Sequence, residues 1–168
     1  MNASASNDVV LRVTELGITL IRAGRSLLQG CSFELRAGER LTLIGESGAG
    51  KSLLAQAIMG TLPPVMRAHG EVMILGRATN GQRPLTQPLW GHQVVMLPQE
   101  PWTALNPIMR LRTQVAEAGR YAAHMRWPTA HVHADQHLAS LGLAHAGHQW
   151  LHQVSGGMAQ RVGVACAR

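Results

Sequence analysis

Eight consecutive residues, Gly45, Glu46, Ser47, Gly48, Ala49, Gly50, Lys51 and Ser52, have the types and the spacing to hold a phosphate. They spell G-x-x-x-x-G-K-[ST], a pattern with a mechanism behind it. Its glycines let the backbone turn so that successive N–H groups point inward, and a concave nest of donors at a helix N-terminus binds phosphate oxygens. Lys51, the only lysine of the chain, would reach the β- and γ-phosphates as a point charge, and the Ser52 hydroxyl would hold Mg²⁺. At ordinary residue frequencies the four fixed positions match by chance in roughly one chain of this length in a hundred or fewer, so a glycine turn that binds nothing is the weaker reading.

Such a loop needs a strand before it and a helix after it. Residues 41–44, Leu-Thr-Leu-Ile, are strand formers, and residues 51–59 are apolar-rich, free of β-branching until Ile58 and followed by Gly60. Strand, glycine loop and helix are therefore expected in that order. Upstream, apolar residues alternate at Val9, Leu11 and Val13 and then at Leu16, Ile18 and Leu20. That period of two predicts half-buried antiparallel strands. Residues 22–29 are polar and contain Gly24, which predicts a turn, and residues 32–36 alternate again. Downstream, Leu62-Pro63-Pro64 breaks the chain, 71–75 reads as a strand ending at Gly76, and 77–91 reads as loop.

Residues 93–97, Gln-Val-Val-Met-Leu, predict a short buried strand that Pro98 ends. Two prolines around Gln99 and Glu100 fix Gln99 at the C-terminal end of that strand, where α/β proteins place ligand-binding groups. Residues 109–126 and 130–143 predict helices separated by Trp127-Pro128-Thr129. Seven of the nine histidines lie from His124 onward. His133 and His137 share a helix face, as would His145, His148 and His152, and imidazoles so spaced can bind metals. No cysteine is near them in sequence and Asp135 faces away from the pair, so solvated surface is the default reading. Finally, Ser155 is a good N-cap for the apolar helical run after it, and Ser155, Gly156 and Gly157 open that helix as a second anion site.

The 168 residues are 46% hydrophobic and 14% charged, which excludes a disordered chain and suits one domain or part of one. No apolar run approaches the eighteen or so residues of a membrane span, and no secretory signal is visible at the N-terminus. A cytoplasmic, soluble or membrane-peripheral protein is expected. The net charge is +6, yet the arginines are scattered and the chain holds one Tyr and one Phe, which disfavours a nucleic-acid partner. Cys31 and Cys166 lie far apart among small or apolar neighbours and predict buried free thiols.

These motifs together resemble the nucleotide-binding domain of ABC transporters. Gly45 to Ser52 matches its Walker A loop, Gln99 its Q-loop glutamine, and Val154-Ser155-Gly156-Gly157-Met158-Ala159-Gln160-Arg161 its signature stretch. The residues around Gln99 and around Ser155 look most like the peptide and nickel importer branch. The resemblance implies an α/β fold of P-loop NTPase type with an N-terminal antiparallel β subdomain and a helical subdomain. It divides a single partial domain, 1–168, into 1–104 (β subdomain and Walker A core), 105–153 (helical subdomain) and 154–168 (signature motif and helix). It implies ATP and Mg²⁺ as cofactors, the loop amides on the phosphates, and Ser52 and Gln99 at the metal, with Gln99 also sensing the attacking water. Residues 102–110 would lie near membrane subunits, and Ser155, Gly156 and Gly157 would touch the γ-phosphate bound to an opposite subunit. A head-to-tail dimer on transmembrane permeases at the inner face of the cell membrane follows.

Several residues depart from the family's pattern. Leu20 stands where an aromatic ring usually stacks on adenine, Val154 replaces Leu, and Met158 replaces Gln. The family continues into a hydrophobic strand ending Asp-Glu, the Walker B motif, and later a switch histidine; the only aspartates here are Asp8 and Asp135, and neither follows a hydrophobic strand. The expectation is an N-terminal piece of such a domain, with the C-terminal part of the core missing, impaired in hydrolysis on its own because general base and Mg²⁺-ordering carboxylate are absent. The leading expectation is the ATP-binding subunit of an importer. The alternative is a non-hydrolysing or accessory module, such as those of carbon–phosphorus lyase complexes, or the product of a decayed gene.

Overall fold

The computed structural model describes residues 8–167, which divide between Pro88 and Leu89 into two compact units. The first holds a four-stranded sheet in the order β2-β1-β3-β4, with β1 at Val9–Leu20, β2 at Arg25–Arg36, β3 at Met66–Ile74 and β4 at Arg77–Ala78. Every pairing in it is antiparallel. β1 lies in the middle and pairs along both edges, with Val13 between Phe33 and Val72 and Ile18 between Leu28 and Ala68.

The two phases of apolar alternation in β1 have a structural cause. Burial falls on odd-numbered Val13 and then on even-numbered Leu16 and Ile18, and the register slips between Val13 and Leu16 against β2. Glu15 takes the slip, with a φ of 48°, and its N–H donates to the Ser32 hydroxyl at 2.8 Å. The bulge thus turns the strand's face over without orphaning an amide. Opposite it, Gly70 has a φ of 99°, and a Cβ there would collide with the Glu15 carbonyl.

The helix after the glycine loop, α1, runs Lys51–Met59 and buries Leu54, Ala57 and Met59. Gly60 ends it in the left-handed region at φ 67°, where its N–H donates to helix carbonyls. Four stretches differ here from the expectation. Residues 22–29 are not all turn, since β2 begins at Arg25. Residues 71–75 belong to the longer β3, and the stretch expected as loop contains β4 and a helical turn, α2, at Arg83–Thr86. Most consequentially, residues 41–44 form no strand: the sheet provides no partner for them, and Leu41, Leu43 and Ile44 are exposed, Ile44 by 93%.

The second unit is helical, with α3 at Leu111–Ala122, α4 at Trp127–Ser140 and α5 at Gly156–Cys166. Leu111 and Val115 from α3, Ala130, Ala134 and Leu138 from α4, and Ala159, Val162 and Ala165 from α5 share one core. The spacing of three and four residues puts each set on one helix face. Trp127-Pro128-Thr129 is the first turn of α4 rather than a break, because proline at the first helical positions lacks only a donor that would have no partner there. Gln114, 8% exposed, ties down the loop before α3: its amide donates to the Asn106 and Met109 carbonyls and its oxygen accepts from the Asn106 N–H. Residues 93–97 are the second expected strand that does not form; Val94 makes an isolated bridge to Trp90, and Val95, Met96 and Leu97 are exposed.

Gly70→Ala tests the bulge. Its Cβ meets backbone rather than a movable side chain, so the urea midpoint of the chain should fall by an amount equivalent to about 1–3 kcal/mol.

Candidate functional site

In the first unit the phosphate loop is built by glycine backbone freedom. Gly48 and Gly50 have φ values of 84° and 86°, which side-chain-bearing residues rarely adopt, and Gly50 is the N-cap of α1. Residues 45–49 are exposed, and the Ala49 N–H donates to the Glu46 carbonyl at 3.2 Å. The Leu54 N–H donates to the Gly50 carbonyl at 2.8 Å and opens the helical ladder. The N–H groups of Lys51, Ser52 and Leu53 precede it and have no intrahelical acceptor, as the geometry of any helix start requires. No acidic residue stands in that first turn to compete for them.

Lys51 folds back over the loop. Its ammonium donates to the Gly45 and Glu46 carbonyls, both at 2.7 Å. An ammonium has three N–H bonds, so this arrangement fixes Nζ at the mouth of the loop and leaves a third donor for a phosphate oxygen. The donor set is that of an anion site, amides and one cation. Ser52 is exposed beside it and offers a single hydroxyl, which suits a Mg²⁺ held mostly by phosphate oxygens and water. Leu20 lies half-buried at the end of β1.

The second unit carries Gln99 and the Ser155 stretch. Gln99 is exposed, just before a 3₁₀ turn at Pro101–Thr103. It lines a cavity of about 350 Å³ together with Leu105 and, from α5, Gln160, Gly163 and Val164. Ser155 caps α5, its hydroxyl accepting from the Met158 N–H at 3.3 Å, and Ser155, Gly156 and Gly157 are all exposed. A Cβ on Gly157 would meet nothing within 4 Å, whereas one on Gly156 would touch the Trp102 ring at 3.9 Å. Arg161 donates to the Gly157 carbonyl and, at 2.9 Å, to the Leu141 carbonyl, anchoring the helix start to the end of α4. Trp102 is therefore a neighbour of Gly156, and Gln160, itself within the signature stretch, lines a cavity with Gln99, two approaches that the sequence does not display. Only their three-dimensional approach reveals them, because the two segments are more than fifty residues apart.

Titratable groups elsewhere have structural partners. Asp135 pairs bidentately with Arg112 at 2.6 and 2.7 Å, linking α4 to α3, and this hydrogen bonding holds its carboxyl below the usual range. Both groups are partly exposed, so the pair contributes no more than about 1 kcal/mol, present above the ordinary carboxylate pKa and lost as acid protonates Asp135. Cys31 and Cys166 are free and half-buried rather than fully buried. Burial, with a smaller push from Glu117, raises the Cys166 thiol to about 11.

The sequence model of the ABC transporter family matches residues 28–168. The dipeptide transport ATP-binding protein DppD of Bacillus subtilis is 34% identical over 95% of this chain and 50% of its own length. The oligopeptide transport ATP-binding protein OppD of Escherichia coli is 33% identical over 98% of this chain and 51% of its own. The chain thus spans about half the length of the curated relatives it matches. In fold it is similar to CbiO1 of Clostridium perfringens, part of the ABC transporter complex CbiONQ, with a TM-score of 0.76 at 23% identity, covering 95% of this chain and 61% of that one. Among the described residues no helix is long and apolar enough to cross a membrane.

Because the folded thiol pKa lies above the ordinary value of 9.0, the Cys166 neutral form is the stabilising one; its contribution is complete below that pH and is lost toward pH 11. Mass spectrometry after iodoacetamide treatment should accordingly find Cys166 unmodified in the folded chain at neutral pH and modified only as the pH approaches about 11.

Proposed function

The chain belongs to the ABC transporter family, and on that premise we propose that it is the nucleotide-binding half of an importer's ATP-binding subunit, with a peptide-class solute as cargo. The observation that carries this is Lys51, whose ammonium is held against the Gly45 and Glu46 carbonyls of an exposed, left-handed glycine loop where α1 begins. The names of the relatives supply the solute class, since they are dipeptide and oligopeptide transport proteins.

In this reading residues 1–168 are one partial domain, with the helical stretch 105–153 between the phosphate loop and the signature. The amides of Gly48, Gly50, Lys51 and Ser52 bind the phosphates of ATP, and the positive end of α1 favours their charge. Lys51 bridges the loop carbonyls to a phosphate oxygen. Ser52 would contribute its hydroxyl to Mg²⁺, and Gln99 would be the side chain that senses the metal and the attacking water. Ser155, Gly156 and Gly157 present an open anion site whose partner is the phosphate held by a second copy or a second ATP-binding subunit. Its openness at Gly157 supports that role, because nothing in its own unit fills the space. Transmembrane permeases receive the movement, the exposed Trp102 and Ile108 offering them apolar contact. That docking places the chain at the inner face of the membrane.

Hydrolysis is a separate matter. Asp135 is committed to Arg112, and Asp8 precedes β1 instead of ending a strand. Nucleotide binding is the activity assigned to the residues of this loop.

Fluorescence titration with a nucleotide analogue, competed by ATP, tests the reading. Lys51→Ala removes a charge-assisted bond and should weaken binding by about tenfold or more. Equal affinity of variant and parent would overturn the assignment of this loop to ATP.

A further inference from the structure

The histidines of α4 are not spread evenly over solvent. His133 and His137 are half-buried and line a cavity of about 250 Å³ bounded by α3, α4 and the end of α5. His92, Met125 and Cys166 line the same cavity. It is roomy enough for an ion with several waters, each of which takes about 30 Å³ of liquid volume.

We propose that His133 and His137 form a chelating site for one divalent transition-metal ion of the zinc or copper class. Their spacing of four residues places both imidazoles on one helix face. Their ring centres lie 5.4 Å apart, with the planes at 64°. Two imidazoles that share a tetrahedral ion at about 2.1 Å from each nitrogen have ring centres about 5.2 Å apart, so the pair needs little rearrangement to close on a metal. Because the rings are already half-buried against helix and cavity wall, less side-chain freedom is lost on binding than for two surface histidines. Imidazole nitrogen selects zinc, copper and nickel over magnesium or calcium, and the thioether of Met125 in the same wall shifts the environment further toward soft ions.

The remaining ligands are solvent. Asp135 lies on the same helix but its carboxylate is held by Arg112, and among the described residues no three His, Cys, Asp or Glu side chains already converge on one point. A two-imidazole chelate completed by water is an exchangeable site, unlike the closed four-ligand sites that hold a fold together.

Equilibrium dialysis of the untagged chain against Zn²⁺, and separately against Cu²⁺, at neutral pH and without nucleotide, tests the site. One ion per chain should bind, and His133→Ala and His137→Ala should each weaken it by about tenfold or more. His137→Gln, which preserves polar bulk, should lose the ion equally, which separates ligation from packing. His145→Ala and His152→Ala, at exposed positions outside the cavity, should leave the affinity unchanged. Failure to retain metal, unchanged affinity in the His133 and His137 variants, or loss of binding in the His145 or His152 variants would each overturn the proposal. None of these readouts depends on whether Lys51 binds ATP.

Discussion

The supply of backbone hydrogen-bond partners decides which apolar runs of this chain become structure. Ile18 and Ile44 are the same residue in similarly apolar, strand-forming sequence. Ile18 is fully buried, in a strand paired along both edges, whereas Ile44 is 93% exposed in irregular chain. Side-chain hydrophobicity favours burial for both, but a strand without a neighbour leaves its amides and carbonyls unpaired, and an isolated strand cannot offset the entropy of extending. Antiparallel partners are available locally, through the turn that joins β1 to β2 and the return of β3. Residues 41–44 and 93–97 pair with no strand of the described sheet.

The phosphate loop escapes this dependence, which is why it is built although the strand before it is not. Its shape comes from the left-handed glycines, from the short bonds of Lys51 to its own loop, and from the ladder of α1, all of which lie between Gly45 and Met59. Such local determinants are also what a sequence displays most openly. The glycine turn that opens α1 and the cap at Ser155 are legible in the sequence because spacing alone specifies their backbone geometry. Gly60 is legible as a helix end for the same reason.

What the sequence conceals depends on distant residues. The slip of apolar phase between Val13 and Leu16 is visible in it, but that Glu15 absorbs the slip, with Ser32 satisfying its amide and Gly70 making room, follows from three strands at once. Arg25 to Gln29 reads as turn because its composition is polar; pairing with β1 overrides that propensity. Trp102 against Gly156, and Gln160 beside Gln99, join segments whose separation erases any periodic signal.

The helical unit shows how small side chains create function-bearing space. Ala116, Ala130, Ala134, Ala159 and Ala165 are essentially fully buried, so the helices approach closely where these residues meet. Alanine fills little volume, and helices that touch at alanines diverge where longer side chains intervene. The cavity holding His133 and His137 opens beside such contacts, with Ala118, Ala122, Ala134 and Ala165 in its wall. A larger residue at any of these positions would close the space that two imidazoles now share. The sequence announces the histidines; it is the alanines around them that turn a helix face into a site.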